Sequence, residues 1–225
     1  MPVSALWSLE GLPCTAKSTV LRRLSREYGA SCWEEPLSIW EGKSDFQPGI
    51  RRDFLGEFLS QRTSETFLRL QMVVTDTLAY RDAKVIQQLH KRKTQDTFVE
   101  RTTKTGKAFV EAEAPTEEDK AVLHATIDRA SSTVYKDVCV RRIYLQCDPA
   151  VAYQRCIERA RNAELGYTLQ TIVALHNAHE STIKPSSEKT IDATYKDVAE
   201  VYNDIVEYVK RHGAQLKRVT TAAEE

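Results

Sequence analysis

Gly11-Leu12-Pro13-Cys14-Thr15-Ala16-Lys17-Ser18-Thr19 differs by one residue from the phosphate loop Gly-x-x-x-x-Gly-Lys-Ser/Thr, with Ala16 in place of the last glycine. In such a loop, backbone N–H groups and a helix N-terminus face phosphate oxygens. The lysine reaches the β- and γ-phosphates and the hydroxyl binds Mg2+. Other residues downstream also have chemistry to offer. Glu35 stands directly before Pro36, which disfavours helix at the preceding position and sets that carboxylate at a strand end. Glu100 and Arg101 close the short run Thr97-Phe98-Val99 as an acid and a base. Arg155, Arg159 and Arg161 form a local cation cluster with Glu164 on the following turn, and arginine forks match phosphate oxygens. Gln71 lies on an otherwise apolar helical face, where a buried amide must find a partner. Each has a plainer reading when taken singly. Glu35 can be a solvated loop carboxylate, Gln71 a side chain bonded to backbone, and the arginine run a solvated helix face paired with Glu158 and Glu164.

These residues need elements to hold them. A buried strand is expected over 3–9 and a helix over 17–28, with Gly29 as its cap. A short strand runs from Ser31 into a turn that ends at Trp40. Apolar spacing over 53–89 predicts two helices, broken near Arg62-Thr63-Ser64, with Ser64 as the second N-cap. Further strands are expected at 97–102, 138–147 and 190–193. Helices are expected after Thr116 and Asp148-Pro149, over 168–183 and over 195–211. His176 and His179 lack the spacing of a zinc pair. Alternating strands and helices after a phosphate-loop-like start point to an α/β fold, a parallel sheet flanked by helices.

Composition narrows the function classes. The chain has 225 residues, and 32 basic residues balance 32 acidic ones, so it lacks the basic excess of a general nucleic-acid binder. Its length fits one domain over 1–225, with a lid at about 155–166 and a frayed tail from 213 to 225. The five cysteines, odd in number and without C-x-x-C spacing, read as free thiols in a reducing compartment. No run is long and apolar enough to span a bilayer, and no targeting signal is visible after Met1-Pro2-Val3, so a cytoplasmic location is expected.

Over nearly all of 3–212, the chain resembles the deoxyribonucleoside kinases of the deoxycytidine, deoxyguanosine and mitochondrial thymidine kinase type and their viral relatives. The likeness is densest at Leu9–Thr19, at Glu34-Glu35-Pro36-Leu37-Ser38-Ile39-Trp40, at Phe98-Val99-Glu100-Arg101-Thr102, and from Ile143 through the arginine run to Leu175-His176-Asn177-Ala178-His179-Glu180-Ser181. The resemblance implies a three-layer phosphate-loop fold with an Arg-rich lid, ATP and Mg2+ as cofactors, a role in nucleotide salvage, and a homodimer. It assigns Glu35 as the base for the nucleoside 5′-hydroxyl, with Arg101 beside it. The loop from Gly11 to Thr19 would handle ATP phosphates through Lys17, with Ser18 and Glu100 at the metal. Arg155, Arg159 and Arg161 would close over the γ-phosphate, and Glu164 would bond the sugar 3′-hydroxyl. Trp40, Val74 and Leu78 would line the nucleoside pocket, Phe109 would stack on the base, and Gln71 would face the base edge. In this light the ligand reading of Gln71 outweighs the structural one.

Relatives that prefer deoxycytidine or purines carry an Arg on the Gln-bearing helix and an Asp in the loop after Glu-Arg-Ser. Here those positions hold Leu78 and either Thr105 or Gly106. Thymidine, or another pyrimidine, is therefore the expected substrate. The departures are Cys14 and Ala16 in the phosphate loop, Ala163 where a second lid Glu is common, and Phe58 and Ser60 near the place of a tyrosine that assists Glu164. Two alternatives stand beside this reading. One is a thymidylate kinase; the other is a catalytically weak relative that binds nucleosides or a protein partner.

Overall fold

The computed structural model describes residues 5–43, 52–91, 96–160 and 166–219. Arg161, Ala163 and Glu164 lie outside them.

Five parallel strands make one sheet in the order β2-β3-β1-β4-β5, with β1 Leu6–Gly11, β2 Ser31–Trp33, β3 Thr97–Glu100, β4 Val140–Gln146 and β5 Lys189–Asp192. β1 is central and buried along its whole length. Side chains alternate across a strand, so β1 feeds both faces of the sheet. Trp7 and Leu9 pack with α1 Lys17–Tyr28 and α9 Val198–Arg211 through Val20, Leu24, Val201 and Ile205. Leu6 packs on the opposite face with Val85, Ile86 and Leu89 of α4 Ser64–Lys91. The layers are thus helix, sheet, helix. α5 Gly106–Glu113, α6 Glu117–Val134, α7 Pro149–Arg159 and α8 Leu169–Thr182 complete the second helical layer and its rim. The chain leaves β1 towards β2 on one side and returns to β4 on the other. The loop after β1 therefore lies where open α/β sheets place ligands.

Most expected elements form, and the exceptions have local causes. Leu37–Trp40 is a short helix, α2, within the stretch read as a turn, whereas the first of the two helices expected over 53–89 forms as α3 Phe54–Ser60, capped by Asp53. Thr63 rather than Ser64 caps α4: its hydroxyl accepts from Thr66 N at 3.2 Å, while the Ser64 hydroxyl donates to Asp119 at 2.8 Å. Helix α5 begins directly after a single turn at Thr103–Thr105, so the expected loop is brief. Of the tail read as frayed over 213–225, the described part is held: Ala214 packs into the core, and Val219 N donates to Glu27 O at 2.9 Å, while 220–225 lie outside the described residues. The reading of five free thiols is also corrected, because Cys14 and Cys156 form a disulfide across 142 residues, leaving Cys32, Cys139 and Cys147 free. Sequence spacing could not reveal a pair that only the fold brings to a Cα separation of 5.6 Å. No helix among the described residues is long and apolar enough to cross a membrane.

Candidate active site

The phosphate loop begins where β1 ends. Gly11 has φ 136°, and a Cβ there would lie 2.5 Å from the Leu145 carbonyl oxygen, so only glycine fits. Cys14 and Ala16 follow at φ 62° and 67°. The left-handed backbone is thus kept without the glycines, at about 1 kcal/mol for each residue. Leu12, Pro13 and Thr15 shape the turn, and the Thr15 hydroxyl donates to Leu12 O at 2.9 Å. Ala16 gives α1 no side-chain cap, so the N–H groups of its first turn, Ser18 and Thr19 among them, are presented to the loop.

Lys17 is buried. Its ammonium donates to Leu12 O at 2.6 Å and Gly11 O at 3.2 Å, and lies 3.9 Å from Glu100. Burial first, and the Arg101 guanidinium second, push its pKa down to about 8. The Ser18 hydroxyl donates to Glu100 Oε2 at 2.8 Å, which joins the ends of two neighbouring elements through two oxygen donors. Such a pair suits Mg2+, a hard cation that takes one or two protein oxygens and keeps several waters.

Arg101 Nη1 donates to Glu35 Oε1 at 2.6 Å, and both side chains are buried. Arg101 also donates to Gly11 O at 3.1 Å and lies 4.9 Å from the centre of the Phe109 ring. It therefore stands at the join between the phosphate loop and an apolar cleft of about 960 Å3, its open mouth included. Trp40, Leu70, Val74, Leu78 and Phe109 line that cleft. Thr77 accepts from the Trp40 indole N–H at 2.9 Å and so fixes the ring. Behind Phe109, His179 Nδ1 meets Leu175 O at 2.7 Å, and burial pushes its pKa down to about 3, so it is a neutral packing partner. Gln71 also lines the cleft, and its Oε1 is buried with no hydrogen-bond partner. Its carbonyl is therefore not committed to the backbone, as the plainer reading required.

The arginine cluster divides. Arg159 lines the cleft beside Lys17 and Glu35. Arg155 does not: its guanidinium donates to the carbonyls of Ala193 at 2.9 Å, Thr194 at 3.0 Å and Lys196 at 3.3 Å, holding the loop after β5. Here α7 turns the Arg155 side chain towards β5. The Cys14–Cys156 disulfide ties the same helix to the phosphate loop.

Several residues escaped the sequence reading. Glu10 is fully buried and accepts from Ser8, from Thr102 at 3.3 Å and from Thr105 at 2.5 Å. A carboxylate within the apolar run of β1 was the visible signal. Thr105, one candidate for the missing acidic position, thus spends its hydroxyl on Glu10. At Gly106, the other candidate, a Cβ would lie 3.1 Å from Ile127 Cδ1. Tyr167 and Glu113 also reach the cleft wall, and Glu113 pairs with Arg62 at 2.9 Å. Nothing in their spacing marked them.

The sequence profile of the deoxynucleoside kinases matches residues 7–213. The chain belongs to the deoxynucleoside kinase family. The solved structures agree on the fold. A deoxyadenosine kinase from M. mycoides with the products dCMP and a flexible dCDP bound superposes with a TM-score of 0.66 at 17% identity, covering 92% of this chain and 100% of that one. The same enzyme with bound dATP gives 0.68 at 18% identity, covering 92% and 99%. No curated protein sequence matches this chain.

Proposed function

We propose that this protein transfers the γ-phosphoryl group of ATP to the 5′-hydroxyl of a deoxyribonucleoside, with thymidine or another pyrimidine preferred. One observation carries the reading: the Glu35–Arg101 pair sits between a polar loop and an apolar cleft whose amide is unbonded. A base at Glu35 accepts the hydroxyl proton once the sugar is within about 3 Å. Lys17, Arg101 and Arg159 supply positive charge where negative charge spreads in the transfer. Mg2+, held by Ser18 and Glu100 when bound, neutralises charge on the ATP phosphates. Arg161 and Glu164 belong to this proposal as lid arginine and 3′-hydroxyl partner.

At the base end, the Gln71 amide offers one donor and one acceptor. These complement thymine N3–H and O4, or, with the amide turned, cytosine N3 and N4–H. Leu78 and Gly106 supply no charged pair, so the wall suits the thymine methyl group. Exposed Met72 and Tyr80 on α4 and Val122 on α6, two helices packed on each other, support a homodimer through that face.

The test is a phosphoryl-transfer assay with Mg-ATP over the four deoxynucleosides and thymidylate. Thymidine should give the highest kcat/KM, with deoxycytidine next. A purine deoxynucleoside as much the best substrate would sink the preference. Transfer to thymidylate alone would make this a nucleoside monophosphate kinase, and transfer to none would sink the kinase reading.

A further inference from the structure

Beyond the cleft wall, the ladder between β2 and β3 ends at the pair Trp33 and Val99. Glu34, Glu35, Glu100 and Arg101 follow directly on these two strands, past the last ladder bond. Strand ends without a ladder splay apart, yet Glu35 and Arg101 must meet across this gap. Arg81 of α4 fills it. Its Nη1 donates to Glu34 O at 3.2 Å and to Glu100 O at 2.8 Å, and its Nη2 donates to Arg101 O at 2.6 Å. The remaining two N–H groups go to Asp82 Oδ1, at 2.9 Å from Nε and 2.7 Å from Nη2. All five donors of the guanidinium are thus used. Asp82 is fixed in turn: its Oδ2 accepts from Tyr135 and, at 3.0 Å, from the Thr103 hydroxyl.

We propose that Arg81 is a positioning residue that clamps the ends of β2 and β3 so that Glu35 and Arg101 face each other. The inference rests on the kinase reading for the reaction it serves, though not for the geometry it sets. Arg81 does not line the cleft and touches no reacting atom. It works by holding the backbone on both sides of the pair, including Arg101 in its left-handed conformation at φ 55°. A lysine cannot replace it. A single ammonium has three donors and no planar fork, so it cannot serve Asp82 and three carbonyls at once.

The test uses Arg81→Lys, which keeps the charge beside Asp82, and Arg81→Ala, which opens a guanidinium-sized space. Thermal melting identifies folded protein. The expected result in Arg81→Lys is a kcat lower by about 100-fold, the scale of an ångström misplacement, with nucleoside affinity by calorimetry changed only severalfold. Methylguanidinium added to Arg81→Ala should recover part of kcat, and it should do nothing for Glu35→Gln. A crystal structure of Arg81→Lys should show Glu35 and Arg101 parted. Wild-type kcat in Arg81→Lys, or an intact Glu35–Arg101 contact in its crystals, would overturn the proposal. An inactive wild type would instead sink the kinase reading, and the crystallographic separation would still decide the clamp. Should Arg81→Ala fail to fold, Arg81→Lys carries the kinetic and crystallographic arms by itself.

Discussion

At the phosphate end of the cleft, Lys17, Ser18, Glu35, Glu100 and Arg101 each bond to a neighbour. At the base end, Leu70, Val74, Leu78 and Phe109 surround an amide whose oxygen is bonded to nothing. The backbone differs in the same sense. Cys14, Ala16 and Arg101 are left-handed around the loop, whereas the base end rests on the regular helices α4 and α5. Under the proposed reaction, strain and buried charge lie where charge is handled, and neighbouring contacts hold them there. The base end needs only shape and one pair of hydrogen-bonding atoms. Rate should therefore depend on one end and substrate choice on the other.

The largest test of that division is Glu35→Gln. It should lower kcat by about 1,000-fold with little change in nucleoside affinity, measured by steady-state kinetics and calorimetry. Near-normal kcat would remove Glu35 as the base. Next is the Cys14–Cys156 bond, which joins the phosphate loop to α7. Under denaturing conditions without reductant, three of the five cysteines should react with a thiol reagent. Reduction should cost about 4 kcal/mol of stability in denaturant melts, given the long loop the bond closes. Five reactive thiols from untreated protein would break the link.

At the base end, Gln71→Leu should raise the thymidine KM by about 10- to 100-fold, the value of one or two hydrogen bonds to a buried base. It should leave Tm unchanged or higher, because a buried unbonded amide is removed. A fall in Tm would show that Gln71 serves the fold. Lys17 gives the pH dependence. In the proposed reaction it binds phosphate when charged, and its pKa in the protein is about 8 rather than 10.5. Mg-ATP affinity by calorimetry should therefore be flat below pH 8 and weaken by up to about tenfold per pH unit above it. A flat profile to pH 10 would show that Lys17 keeps its proton. The smallest effect is Ala16→Gly, which should stabilise the protein by about 1 kcal/mol by relieving the left-handed alanine. A loss of stability would mean that the methyl group packs usefully.

The site was legible to different depths. Glu35, Glu100, Arg101, Lys17 and Ser18 were readable as candidates because each sits at a strand end or helix start, positions that local patterns of proline, glycine and apolar spacing mark. Gln71 was readable as an anomaly, a polar group on an apolar face. A cation cluster on a helix does not say which way each side chain turns; here Arg155 reaches the β5 loop and Arg159 the cleft. Arg81 and Asp82 carry no local signal in the sequence. Their partners are backbone carbonyls at two strand ends and the hydroxyls of Thr103 and Tyr135, which leave no trace in local spacing.

The amino-acid sequence by itself determined the alternation of strands and helices, the loop after β1, and the family to which the chain belongs. The alternation and the loop follow from periodicity and a short motif, which act over a few residues; the family follows from a resemblance that spans nearly the whole chain. The tertiary structure alone decided that Cys14 meets Cys156, that Arg81 binds the ends of two strands, and that Gln71 Oε1 is unbonded in an apolar cleft. Those are contacts between residues far apart in the chain. Packing fixes them, since it selects one neighbour for each buried group among many that local chemistry allows.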